Sequence, residues 1–194
     1  AYTNQDLETF MRADGYALDH VPHAFVATSG AFEEAVRRSM RAVTDLTPAV
    51  AAAQRSEQPL SGLRLALQCG GSDAFSGVSG NSLAGWVAKE LIRHGGGANL
   101  AETDELIGAE SYVLENVRDR DVAVRFLDKV ATFKERAERH GASAEGNPSG
   151  GNNYRGLYNS ALKSLGAARK KHPDVRLDHV LDYGQPMHER GYYF

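Results

Sequence analysis

The sequence predicts an α/β fold, a mainly parallel sheet with helices packed on its faces. Three observations carry that expectation. Leu63, Leu65 and Leu67, with Ala66 between them, form a short apolar run that stops at Gln68-Cys69-Gly70-Gly71. A run of that length bounded by glycine reads as a buried strand. Next comes a loop of small residues (Ser72, Ser76, Gly77, Ser79, Gly80), then a helical pattern from Asn81 to His94. The same alternation of short apolar runs and helical stretches recurs along the chain, as a parallel sheet with crossover helices requires.

Taken in order, Thr3 to Asp14 reads as a short amphipathic helix with Leu7, Phe10 and Met11 on one side, stopped by Gly15. Ala24 to Thr28 reads as a strand closing on Ser29-Gly30. From Ala31, the positions Phe32, Ala35, Val36, Met40 and Val43 follow the helical period. Thr47-Pro48 has the form of an N-cap with proline at the first helical position, so a second helix is expected to about Arg55. After the central loop, Leu83, Val87 and Leu91 lie four apart, with Trp86 beside them, and Gly95-Gly96-Gly97 ends that helix. Ala98 to Ala101 is a short strand. Thr103 caps a helix whose buried stripe is Leu106, Val113, Leu114 and Val117. Asp119 to His140 is a long helix with Val122, Phe126, Val130, Phe133 and Ala137 inward. Residues 141–156 are a polar loop, Leu157 to Lys171 a helix, Leu177 to Asp182 a strand, and Gly191 onward an aromatic run. The expected layering is Rossmann-like. It forms one α/β domain over 1–194, with a subdivision near 57–62 and a mobile loop at 141–156, because long structureless loops in compact domains are often binding or lid loops.

Composition narrows the class. At 194 residues, 42% hydrophobic and 24% charged, the chain has the make-up of a soluble globular domain. A net charge of −3 offers no basic surplus to neutralise phosphates, so nucleic acid is not an expected partner. A single cysteine excludes an internal disulfide framework and a four-cysteine zinc site. No run approaches the roughly 20 apolar residues of a transmembrane helix, and no signal-peptide pattern opens the chain. The expected compartment is the cytoplasm, with no membrane partner. The opening on Ala1 and the close on Tyr192-Tyr193-Phe194 suggest a piece of a longer protein.

The strand–glycine turn–helix around Cys69-Gly70-Gly71-Ser72-Asp73 sets backbone N–H groups where a small anion can meet them. Cys69 is either a small inert hydrophobe or a metal ligand or activated thiol. Glu110 falls on an apolar stripe, where a carboxylate must be paired, protonated or coordinated unless it reaches water or an Arg. His94, just before three glycines, is a proton carrier or a helix C-terminal cation. His20-Val21-Pro22-His23 has a ligand-like spacing, but the proline argues against a helix and favours a surface reading.

Four motifs together resemble one family. They are Cys69-Gly70-Gly71-Ser72-Asp73, the Arg93-His94-Gly95-Gly96 turn, the segment from Glu102 to Glu110, and Gly146-Asn147-Pro148-Ser149 followed by Lys163-Ser164-Leu165-Gly166-Ala167. In this order and spacing they resemble the altronate/galactarate dehydratases, a family that includes the large subunit of sulfolactate sulfo-lyase. The resemblance runs from about Phe25 to Phe194 and makes the chain a middle fragment of the catalytic region. It implies a lyase using a divalent metal, Fe2+ or Mn2+, of unassigned ligands, and acting on a small anionic hydroxy acid. It further implies a small beta-clip-type domain or subunit and a homo-oligomer.

Dehydrating a sugar acid requires a base for the proton alpha to the carboxylate, an acid for the leaving hydroxyl, and donors or a cation for the enediolate. Asp73, Glu102, Glu110 and His94 are the candidates for proton transfer. Cys69, Gly70, Gly71, Ser72, Asn147, Ser149, Asn152 and Arg155 are the candidates for substrate binding. The sugar-acid dehydratases usually carry Gly-Asn-Lys after Asn-Pro-Ser, and a Glu before Lys-Ser-Leu-Gly. Here Asn153 and Leu162 stand at those places. Because sulfite needs little help from a general acid to leave, and Arg155 offers a forked donor set, sulfo-lyase chemistry is the alternative. A non-catalytic anion-binding or assembly domain is the reading from another class.

Overall fold

The computed structural model describes residues 4–101, 103–143 and 148–194, with side chains in the first helix described from Leu7 onward. The chain divides into two compact units, Ala1–Glu57 and Gln58–Phe194.

The first unit contains helices α1 (Asn4–Ala13) and α2 (Phe32–Ala52). Arg12 joins α1 to the turn after it through Glu8 and Asp19. The strand expected at Ala24–Thr28 does not form. An extended segment needs partners for its backbone, and here the Arg38 guanidinium supplies them, donating to the carbonyls of Ala27 and Ser29. The two helices expected on either side of Thr47-Pro48 are one, with Pro48 inside α2. Thr47 does not cap; its hydroxyl donates back to the Val43 carbonyl at 2.8 Å. Ala35 is buried, while Phe32, Met40 and Val43 stay exposed.

The second unit holds a four-stranded, all-parallel sheet. Its strands are β1 (Arg64–Leu67), β2 (Gly97–Leu100), β3 (Leu177–His179) and β4 (Gly191–Tyr193), in the order β1-β2-β4-β3. The register pairs Leu65 with Ala98, Leu67 with Leu100, and Ala98 with Tyr192. Residues paired in register share a face, so one face carries Leu65, Leu67, Ala98, Leu100 and Tyr192. That face packs into a single core with Ala88 of α3 (Gly80–Arg93), Val113 of α4 (Glu110–Leu114), and Val122, Phe126 and Val130 of α5 (Arg120–Arg139). Phe194 meets Phe126 edge to face, with centroids 4.7 Å apart. The aromatic run is thus the core of an interior strand. Tyr192 and Tyr112 donate their hydroxyls to the carbonyls of Lys170 and Lys171. Lys171 itself is buried, which pushes its amine down to about 8 although Glu115 and Asp178 pull it back.

Two helices differ from the pattern their apolar residues suggest. In α3 the packed side is mostly small: Gly85, Ala88 and Leu91 are buried, whereas Leu83, Trp86 and Val87 face out. The reason is close approach to α7 (Ser160–Ala168) and the turn after it. A Cβ at Gly85 would overlap the Arg169 carbonyl oxygen, and one at Gly77 would lie 3.0 Å from the Gly166 Cα. The helix expected from Thr103 is broken into a 3-10 turn (Asp104–Leu106) and α4 by Gly108, whose φ of +91° suits glycine. Asp119 caps α5 as expected, accepting from Val122 N. The 141–156 loop contains a short helix, α6 (Gly150–Tyr154), and Asn159 caps a helix shorter than expected. No helix among the described residues is long and apolar enough to cross a membrane.

Candidate active site

The turn after β1 is shaped by its own side chains. Asp73 Oδ1 accepts from the N–H groups of Phe75 and Ser76, and Ser76 Oγ donates to the Asp73 carbonyl. Cys69 Sγ lies 3.1 Å from Ser72 Oγ and accepts from Gly71 N at 3.3 Å. Asp73 and Cys69 therefore hold the loop that presents Ser72, and the Gly71 N–H is already taken.

A second segment docks on this turn. Ser149 and Asn152 form a reciprocal cap at the start of α6. From there Asn152 Nδ2 donates to the Ser72 carbonyl at 3.0 Å, and the Ala74 N–H donates to the Arg155 carbonyl at 3.0 Å. The Arg155 guanidinium thus leaves from backbone pinned to the turn. A third segment joins from below. Lys163 of α7 reaches Asn152 Oδ1 at 3.3 Å and Glu105 Oε1 at 3.0 Å, and both members of the Lys163–Glu105 pair are more than nine-tenths buried. Ser164 donates to the Ile107 carbonyl at 2.7 Å. A buried charge must be neutralised and hydrogen-bonded to be tolerated. This ion pair meets that need by fastening the exits of β1 and β2 to the α6–α7 segment.

The structure therefore brings Cys69, Gly70, Gly71, Ser72, Asp73, Ser149, Asn152 and Arg155 to one rim beyond the carboxyl end of β1. Glu102 and Asn147 lie outside the described residues. Two candidates go elsewhere. His94 caps the end of α3 and precedes β2, at the amino ends of the strands, where it is exposed beside Arg93. It lies at the other end of β1 and β2 from Ser72. Glu110 is the first residue of α4; its Oε2 accepts from Gly108 N at 2.8 Å and its Oε1 lies 3.7 Å from Lys134. It serves a helix start and a cation rather than the rim. Glu105 and Lys163 lie within two of the motifs but are not among the candidate site residues, because nothing in the local pattern marks the two as partners. Among the described residues, no three His, Cys, Asp or Glu side chains converge as a bound metal requires. Those side chains do not by themselves make a metal site.

An all-parallel four-stranded sheet with helices packed against it makes this an α/β domain, with small polar residues of the β1 turn gathered at the strand's carboxyl end. Residues 60–194 match the D-galactarate/Altronate dehydratase, C-terminal family, and the chain belongs to that family. It is 36% identical to the altronate dehydratase of Bacillus subtilis (strain 168) over 138 residues, 71% of this chain and 28% of that protein. Over the same length it is 34% identical to the altronate dehydratase of Escherichia coli (strain K12), of which it covers 28%. It is 33% identical over 138 residues to that organism's galactarate dehydratase (L-threo-forming), covering 71% of this chain and 26% of that protein. The chain thus spans little more than a quarter of the length of these relatives.

Proposed function

We propose that this chain is the part of a hydro-lyase that holds the carboxyl end of a sugar acid during loss of water. The observation that carries the reading is the rim itself, where the β1 turn, Arg155 and the buried Asn152–Lys163–Glu105 chain are fastened together in a family whose relatives are dehydratases. The substrate carboxylate sits between the glycine-turn backbone, the Ser72 hydroxyl and the Arg155 fork, all donors suited to an anion. A carboxylate takes the proton from the carbon beside it, with Asp73 and Glu102 the candidates on this chain. That C–H electron pair becomes the new C=C bond as the C–O bond to the neighbouring carbon breaks. The hydroxyl leaves as water once protonated, and the enol product relaxes to a 2-keto-3-deoxy acid. The donors that met the carboxylate also meet the charge that grows on it as the proton leaves, which is where they lower the barrier.

The divalent ion, Fe2+ or Mn2+, would take ligands from outside the described residues. On this reading the enzyme works in the cytoplasm as a homo-oligomer, beside a small beta-clip-type domain or subunit. The test is an anaerobic assay of the enzyme that carries this chain, with ferrous or manganous ion, on altronate, galactarate and sulfolactate. A 2-keto-3-deoxy acid from either sugar acid is the expected product. Sulfite and pyruvate from sulfolactate alone would replace this reading with C–S cleavage. No product from any of the three would refute it for all of them.

A further inference from the structure

A cleft of about 420 Å³ opens beside the rim, at the carboxyl ends of β2 and β4. Its volume is in the range of small-molecule sites. Ala101, which lines it, donates its N–H to the carbonyl of Leu67, two residues before Cys69. The cleft and the glycine turn are therefore neighbours along one edge of the sheet.

Three features of its lining point to one kind of ligand. Asn99, a polar residue on the inner strand β2, has its Oδ1 buried without a hydrogen bond among the described residues. A buried acceptor left unpaired is costly, and the cost is recovered by any ligand that donates to it. The Asn amide turns about a soft torsion, so either end can serve a group that both donates and accepts. A hydroxyl is such a group. The floor is apolar, with Leu100, Phe133 and Phe194. Among the described residues the charges nearly cancel: Lys129 is bound to Asp182, which Arg125 also meets, while Asp104 and Arg136 add one of each sign. Such a lining suits a chain with C–H faces and O–H edges better than a second carboxylate.

We propose that this cleft binds the polyhydroxylated tail of the acid whose carboxyl end lies at the glycine turn. The inference rests on the hydro-lyase reading for the identity of the ligand, but its test does not need turnover. The probe is galactitol, an uncharged hexitol, titrated into the full chain and followed by amide chemical shifts. Saturable shifts are expected at Thr103, Thr132, Phe133 and Gly184, and Asn99→Leu is expected to weaken binding about tenfold, the loss of one well-made hydrogen bond. Thr103→Val, at another half-buried position in the lining, is expected to weaken it as well. It decides the matter alone if the Asn99 variant does not fold. Shifts confined to other surfaces, or wild-type affinity in both variants, overturn the proposal. Galactitol binding at the cleft without dehydration of any acid would sink the hydro-lyase reading and leave the cleft a polyol site. Dehydration with no cleft binding would do the reverse.

Discussion

Replacing Lys163 by Met removes one charge from a pair that water barely reaches. Lys163 Nζ is 3.0 Å from Glu105 Oε1 and 3.3 Å from Asn152 Oδ1, and the Met side chain fills similar space without either contact. The loss is set mainly by what stays behind. Glu105, with a side chain 9% exposed, would keep a buried negative charge that the Lys163 ammonium no longer offsets. Breaking a buried pair in this way costs about 3–5 kcal/mol. At about 3 °C per kcal/mol for a domain of this size, the melting transition falls by about 10 °C. The single tryptophan, Trp86 of α3, reports on the second unit, so urea unfolding followed by its fluorescence is the assay. Glu105→Leu added to Lys163→Met removes the stranded charge and should recover most of the loss, because apolar replacement of a buried pair is often near neutral. Hydrogen exchange of the Ala74 amide, which donates to Arg155, should quicken in Lys163→Met as the α6 segment loosens from the turn. A loss under about 1 kcal/mol, or a double variant as unstable as the single one, would refute the claim that this pair fastens the rim.

Two further outcomes follow from packing and burial elsewhere. The Lys171 amine sits at about 8 in the folded chain and near its ordinary 10.5 when unfolded. Between those values the unfolded chain binds more protons, so this residue makes the protein more stable as pH rises from 8 to 10.5, by roughly 1–3 kcal/mol. The difference between wild type and Lys171→Met in denaturant melts across that window should show the rise, and parallel curves would deny it. Gly85→Ala puts a methyl group into the Arg169 carbonyl, which as backbone cannot swing aside. It should cost about 1–3 kcal/mol in the same urea assay, and a neutral result would mean that α3 and the turn after α7 are not in contact.

Much of the architecture was readable from local pattern. The inward stripe Val122, Phe126 and Val130 and the cap at Asp119 lie where the pattern puts them, and the run stopped by glycines is a strand, Arg64–Leu67, although Leu63 is exposed and only Leu67 in it is buried. Ala24–Thr28 has the right composition for a strand, but a strand exists only where another backbone pairs with it, and Arg38 takes that place. In α3 Leu91 is buried as its spacing expects, but Leu83 and Val87 face out, because where a helix touches backbone it buries its smallest residues. The site was half legible. Small polar residues at a strand's end can be read along the chain, as Ser72 was. The Glu105–Lys163 pair joins residues far apart in sequence, and the cleft draws its walls from several separate segments. Such arrangements leave no local trace.

The seam where Gly77 meets Gly166 and Gly85 meets Arg169 has a consequence for how this enzyme family can vary. Main chain lies against main chain there, so no rotamer can absorb a change, and Asn81 Nδ2 stitches the join by donating to the Gly166 carbonyl at 2.9 Å. The segment that carries the glycine turn and the one that carries Lys163 are therefore geared to each other. Substitution cannot widen this joint. Variation is confined to the walls that face away from it, where side chains are free to change length and charge.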